Sequence, residues 1–190
     1  MTTMVERRKA TDKRIYNAAV TEFGNNGFAN TTLSKIAKSA GITPGLIVQN
    51  FGSKEELYRR IAVDTALRSR KQLEPYSTSW EDRCIAAVEI IIENLNKDPG
   101  FIHYLKFYVS LIVSLDTPDD VLKELHEIYN GSSVNDLITE AQKKNEVIDG
   151  DPYIIHTLFW INMHNVIRFC FDHNLDYPPT DWFLDVIKKH

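Results

Sequence analysis

An all-α fold follows from three features of the 190-residue chain. Apolar residues recur at three- and four-residue spacing in segment after segment. No stretch alternates apolar and polar residues for long enough to read as part of a sheet. Gly, Pro and side-chain capping residues punctuate the helical runs. About nine helices are expected, with no internal repeat or low-complexity tract. A composition of 43% hydrophobic and 25% charged residues is that of an ordinary globular protein.

The first helix is expected over residues 11–26, where Ile15, Ala18, Ala19, Glu22 and Phe23 keep helical spacing and Gly27 supplies a stop. Thr31 or Thr32 caps a second helix, whose apolar face is Leu33, Ile36, Ala37 and Ala40 and which Gly41 ends. Thr43 is a good N-cap, and Pro44 suits a first helical position, where the missing N–H costs nothing. That predicts a third helix over Pro44 to Asn50, held through Leu46 or Ile47 and Phe51. Two turns cannot stand alone, so this helix depends on packing. Gly52 breaks it, and Ser53 followed by Glu56 reads as a capping box for a long helix running to about Leu73.

Glu74 to Ser79 interrupts the pattern and reads as a boundary that coincides with the change in charge sign along the chain. Cys84, Ala87, Val88, Ile91, Ile92 and Leu95 then form one stripe, closed by Asp98-Pro99-Gly100. Phe101, Tyr104, Leu105 and Tyr108 belong to the next. A single helix is expected from about Asp119 to Lys144, with an irregularity at Gly131. Asp151 and Pro152 open a strongly apolar helix through Phe171, Asp172 to Pro179 reads as a polar turn region, and Trp182 to Ile187 can form a last short helix. The domain reading is a helix-turn-helix domain over 1–52 and a second helical domain over 53–190, with 53–73 as connecting helix.

Two short helices around the turn Gly41-Ile42-Thr43 form a helix-turn-helix, a unit that places its second helix in the major groove of DNA. Thr43 and Gly45 are small and allow close approach. Gln49 and Asn50 carry amides able to read a base edge in two bonds. Lys35, Lys38 and Lys54, with Thr31, Thr32 and Ser34, are placed to meet phosphates, which position the protein without specifying sequence. The DNA-facing set is therefore Thr31, Thr32, Ser34, Lys35, Thr43, Pro44, Gly45, Leu46, Gln49, Asn50 and Lys54. Charge agrees. Residues 1–75 hold 13 Lys/Arg against 7 Asp/Glu, and residues 76–190 hold 9 against 19. A basic front on an acidic body points the front at a polyanion. The plain alternative is a three-helix core with a solvated lysine face.

Other classes find little in the sequence. No Ser/His/Asp order, Gly-rich phosphate loop or Cys/His metal spacing stands out, so neither an enzyme nor a metal or cofactor is expected. No run approaches the roughly 18 apolar residues of a membrane span. The start of the chain has no apolar leader segment, so a cytoplasmic protein without a membrane partner is expected. Cys84 and Cys170 lie in apolar surroundings and read as buried free thiols.

From Arg14 to Ala66 the chain resembles the amino-terminal domain of the tetracycline-repressor (TetR) family of bacterial regulators. The resemblance rests on FGNNGF, TTLSKIAKSAGI and TPGLIVQNFGSKEEL. Within these stand the Thr31-Thr32 pair, Ile36-Ala37, Ala40-Gly41, Gly45, and Phe51 with Lys54, Glu55 and Leu57. Val48 stands where the family commonly has Tyr, Asn50 where it has His or Tyr, and Pro44 where Lys or Arg is frequent. These departures predict an altered operator preference, or a grip that leans on Lys35, Lys38, Lys54 and the leader Arg7-Arg8-Lys9. An interaction protein with weakened DNA binding is the competing reading, and activation in place of repression is a further one.

The resemblance implies a transcriptional repressor, released from a pseudo-palindromic double-stranded DNA operator by a small-molecule effector of unknown identity. It also implies a homodimer through the two C-terminal helices, about Pro152 to Phe171 and Thr180 to Lys189. The apolar residues around most of the Pro152–Phe171 circumference agree with a partner helix. The effector pocket implied among the middle helices would have Tyr104, Phe107, Tyr108, Leu111, Tyr129, Trp160, His164 and Asn165 as wall residues. Core packing is the alternative role for each.

Overall fold

A computed structural model describes residues 4–76, 78–113, 116–130 and 134–189. Among them are nine α-helices: α1 Met4–Asn26, α2 Leu33–Ala40, α3 Pro44–Phe51, α4 Lys54–Leu73, α5 Trp80–Lys97, α6 Phe101–Val113, α7 Asp119–Asn130, α8 Val134–Lys143 and α9 Pro152–His173. Short 3-10 turns follow α4 (Glu74–Tyr76) and lie near the C-terminus (Thr180–Leu184). The chain forms two compact units. One is Met1–Thr65 with His103–Leu125, and the other is Ala66–Ile102 with His126–His190.

In the first unit α1 buries Ile15, Ala18, Ala19, Val20 and Phe23, a face of helical period. It begins at Met4, ahead of the expected residue 11. Gly27, at φ 75°, turns the chain out of α1, and its N–H reaches Phe23 O at 2.9 Å. Thr32 caps α2, its Oγ1 accepting from Lys35 N at 3.3 Å. Gly41 ends α2 in the left-handed region, with Ile42 N on Ala37 O and Gly41 N on Lys38 O. That is the Schellman arrangement, and it satisfies carbonyls the helix leaves open.

Four aromatic rings form the centre of this unit. Tyr58 lies 4.9 Å from both Phe23 and Phe28 and 5.6 Å from Phe107, in edge-on contacts. Its hydroxyl shares a 3.0 Å hydrogen bond with Thr117 Oγ1, and burial pushes its pKa up to about 12. Gly24 is required here. A Cβ on it would lie 2.8 Å from Phe107 N, so α1 and α6 touch backbone to backbone.

In the second unit Ser79 caps α5 and Asp151 caps α9, each side chain accepting a backbone N–H from the first turn. α9 buries Ile155, Phe159, Trp160, Met163, His164, Ile167 and Cys170. Both cysteines are free and buried, and burial raises Cys84 to about 12.

Two expectations are corrected here. The helix expected over 119–144 is two helices, α7 and α8, and Gly131 lies outside the described residues. Thr180 to Lys189 is no long helix but a five-residue 3-10 turn followed by a bridge from Lys188 to Val147. Ile148 N donates to Ile187 O at 2.9 Å and Lys189 N to Glu146 O at 3.0 Å. Those backbone groups are thus satisfied by a distant segment. The apolar spacing that read as a helix, Phe183, Leu184 and Ile187, is real, and all three are buried.

Candidate nucleic-acid interface

α3 is held to its unit by one fully buried side chain, Ile47, and by the partly buried Leu46, Asn50 and Phe51. Pro44 opens it, and Gly52, at φ 87°, closes it with its N–H on Val48 O. Arg14 of α1 braces the turn before it, donating to Ala40 O at 2.5 Å and Gly41 O at 3.2 Å. A guanidinium on the last carbonyls of α2 also complements that helix end electrostatically. Sequence reasoning missed this role, because nothing local marks a partner 26 residues away.

Thr43, Pro44, Gly45, Val48 and Gln49 are all exposed along the free face of α3. A Cβ built on Gly45 would meet nothing within 4 Å. Among the described residues no contact therefore explains a glycine there, and glycine in a helix costs about 1 kcal/mol relative to Ala. Thr43 makes no capping bond through its side chain, which leaves its hydroxyl available. On α2, Ser34, Lys35 and Lys38 are exposed, and so are Arg7, Arg8 and Lys9 on α1.

Five expected DNA-facing residues are engaged by the fold: Thr32 through its cap of α2, Lys35 through a 2.9 Å bond from Nζ to Asn30 O, and Thr31, Lys54 and Asn50. Thr31 is fully buried, its Oγ1 2.7 Å from Gly27 O and 3.1 Å from Glu22 O. This corrects its expected role: a hydroxyl that closes the α1–α2 turn from inside cannot reach a phosphate. Lys54 donates to Phe28 O at 3.1 Å and sits 4.0 Å over the Phe28 ring. Asn50 donates from Nδ2 to Asp12 Oδ1 at 2.9 Å.

The capping box at α4 is half formed. Ser53 Oγ accepts from Glu56 N at 3.1 Å, but the Glu56 carboxylate is taken by Arg59 and Arg60. Their hydrogen bonds hold Glu56 down to about 2. Arg59 also grips both carboxylate oxygens of Glu124. Nearby, Asp116 Oδ2 accepts from Ala29 N at 2.7 Å, so the segment between α6 and α7 is bonded to the turn between α1 and α2.

The eight expected effector residues divide between the units. Tyr104, Phe107, Tyr108 and Leu111 belong to the first, where Phe107, Tyr108 and Leu111 are buried and Tyr104 OH donates to Thr65 O. Tyr129, Trp160, His164 and Asn165 belong to the second. There a cavity of about 10 Å³ is lined by Trp80, Arg83, Cys84, Leu137, Ile138, His156, Phe159 and Trp160. It has room for about one water. Trp160 Nε1 donates to His156 Nε2, and His164 Nδ1 donates to Trp160 O at 2.7 Å. Burial lowers His156 to about 3, with Arg83 adding to the effect, and lowers His164 to about 4. Both rings are neutral at pH 7. Asn165 falls instead on the outer row of α9, one turn from Ile161 and from the exposed Phe169.

Among the described residues no group of three His, Cys, Asp or Glu is placed to hold a metal ion, and no helix is long and apolar enough to cross a membrane.

Residues 15–61 match the model of the bacterial regulatory proteins of the tetR family. The chain is 30% identical over 115 residues to the HTH-type transcriptional regulator UidR of Escherichia coli K12, covering 60% of this chain and 47% of UidR. It is 33% identical over 93 residues to YdgC of Bacillus subtilis, an uncharacterised HTH-type transcriptional regulator, covering 45% of this chain and 48% of that one. The chain thus spans about half the length of these relatives. A TetR family transcription regulator from Marinobacter aquaeolei VT8 superposes with a TM-score of 0.73 at 12% identity, covering 98% of this chain and all of that one. The fatty acid degradation regulator FadR from Bacillus halodurans does so with a TM-score of 0.60 at 19% identity, covering 92% and 95%. Residues 15–61 thus carry the helix-turn-helix segment of the tetR family, and the chain shares its all-helical fold with TetR-family regulators over nearly its whole length.

Proposed function

We propose that the protein is a repressor. As a homodimer it binds a pseudo-palindromic operator through α3, and a small molecule taken up by the helical body releases it. The observation that carries the DNA side of this reading is Gly45, whose Cβ position opens onto free space beside Thr43 and Gln49. A helical glycine without an intrachain reason fits a backbone that must come close to a partner. On this reading Gly45, Thr43, Pro44 and Gln49 approach base edges, and Thr32, Ser34, Lys35 and Lys38 meet phosphates. Residues 1–52 are the DNA-binding domain, and residues 53–190 are the effector and dimerisation domain.

The dimer is supported by α9. Its outer row, Ile154, Leu158, Ile161, Asn165 and Phe169, repeats every three or four residues, and Ile154 and Phe169 are 65% and 56% exposed. Apolar groups in such a row favour a like surface on a second copy. Thr180 to Lys189 supplies no second long helix to this contact.

Release is supported by the membership of His103–Leu125 in the same unit as the helix-turn-helix, with Asp116 on Ala29 N and Arg59 on Glu124. A ligand that prefers another placement of α6 shifts the population of α1 to α3 with it. An effector of ordinary size needs a pocket of roughly 300 Å³ or more, and the cavity of about 10 Å³ beside Trp160 is far smaller. Selection of bound duplexes from genomic DNA with the purified protein, followed by gel-shift titration over a range of salt, tests the reading. A sequence-specific complex whose affinity falls steeply with salt is expected. Binding that shows neither specificity nor salt dependence rejects it.

A further inference from the structure

Asp12 is the one acidic residue in the run Arg7-Arg8-Lys9-Ala10-Thr11-Asp12-Lys13-Arg14. A carboxylate there weakens the attraction of this segment for a polyanion, so a local use for it is needed. That use is the 2.9 Å bond to Nδ2 of Asn50, in the last turn of α3. Both side chains are partly buried. An ionised carboxylate only accepts, so the amide must turn its nitrogen to Asp12; flipping it would set oxygen against oxygen. The contact is a charge-assisted hydrogen bond, and such bonds are stronger than neutral ones.

We propose that Asp12 is a positioning residue that decides which base Asn50 accepts. By holding Nδ2, it leaves Oδ1 as the end of the amide not engaged by the fold. In the major groove an acceptor matches the exocyclic amine of cytosine or adenine. It is mismatched to guanine O6 and N7, to thymine O4 and to phosphate oxygens, all of which are acceptors themselves. Asn50 thereby reads one position of each half-site for an amine, with Asp12 holding the amide from behind. This rests on the DNA-binding reading above and adds to it the rule for one base.

The test uses the full-length protein and a randomised duplex library, followed by anisotropy titrations with the selected duplex and its single-base variants. One position of the half-site should prefer C or A over G or T by about tenfold, the range of one good base contact. N50A should abolish that preference. D12A frees the amide to flip and should cut the preference below about threefold, while affinity for an unrelated duplex stays level or rises because a negative charge is gone. Thermal unfolding of each variant separates loss of specificity from loss of fold. If D12A fails to fold, the reciprocal D12N/N50D pair retains the bond with donor and acceptor exchanged, and must keep the amine preference. A D12A protein that folds and retains the parent's preference at every position overturns the proposal, as does a D12N/N50D pair that prefers G or T. A parent that enriches no sequence removes the DNA-binding reading and this one together.

Discussion

α3 and α9 both show apolar side chains to solvent, and they do so for different reasons. α3 has eight residues and one fully buried anchor, Ile47, and its free face is small and polar apart from Val48. α9 has 22 residues and seven buried ones, and yet keeps a second apolar row from Ile154 to Phe169. A short helix with a polar free face is built to be held from behind and read from in front. A long helix that is apolar front and back is built to lie between two layers. On the proposed function, nucleic acid falls to one and a second copy of the chain to the other, and that division can be broken from either side.

The largest effect is expected on α9. The double substitution I154E/F169E puts charge into the outer row without touching the buried one. Sedimentation velocity should show the dimer dissociating at micromolar concentration. Operator affinity should fall by at least about 100-fold, because two linked half-site readers gain that much over one. A double variant that stays dimeric and keeps its operator affinity removes α9 as the interface.

The next effect is on stability, at the α3 anchor. Ile47→Ala deletes a fully buried side chain and should cost about 2–4 kcal/mol. That is measurable by urea unfolding, and DNA binding should weaken along with it. Gly45→Ala should do the reverse on the same helix. Unfolding stability rises by up to about 1 kcal/mol, because the added Cβ meets nothing and helix propensity improves. Operator affinity falls if the backbone there approaches DNA. Equal affinity for G45A and parent would leave the glycine without the reason assigned to it.

On the buried face of α9, His164 carries a pH signature. It is 2% exposed, and burial lowers its pKa to about 4 from an ordinary 6.5. The unfolded chain therefore binds a proton that the folded chain refuses between those values. Stability should be fully present above about pH 6.5 and fall as the pH drops towards 4, by at most about 1.4 kcal/mol per pH unit from this group. His156, lowered to about 3, acts in the same direction. His164→Gln should flatten the slope of unfolding free energy against pH in that window. An unchanged slope would mean that the acid sensitivity arises elsewhere.

The contrast between α3 and α9 was legible where its causes are local. Thr32, Gly41, Pro44, Gly52 and Asp151 mark helix ends through their own backbone or capping chemistry, and each stands where that chemistry places it. What depended on distant partners was not legible. The Asp12–Asn50 bond spans 38 residues, and the Asp116 bond to Ala29 spans 87. Thr180 to Lys189 shows the same limit from the other side. Its apolar spacing fitted a helix, but pairing with Glu146 to Ile148 settled its backbone differently. Thr31 and Thr32 are adjacent and chemically identical, and only folding makes one a buried turn bond and the other an exposed cap.

The smallest effects come from a pair of threonines that separate folding from reading. Thr32 caps α2 through its hydroxyl, so Thr32→Ala should cost about 1 kcal/mol of stability. Thr43 holds the same position at the start of α3 but makes no side-chain cap bond, so Thr43→Ala should leave unfolding nearly unchanged. On the proposed function, the Thr43 hydroxyl, which makes no cap bond, is used by DNA. In anisotropy titrations at fixed salt, Thr43→Ala should weaken operator binding several-fold with no change in midpoint temperature. Thr32→Ala should lower the midpoint first, and lower affinity only as far as the loss of a phosphate contact allows. If Thr43→Ala instead lowers stability as much as Thr32→Ala, the two hydroxyls do the same work, and the free face of α3 loses one of its readers.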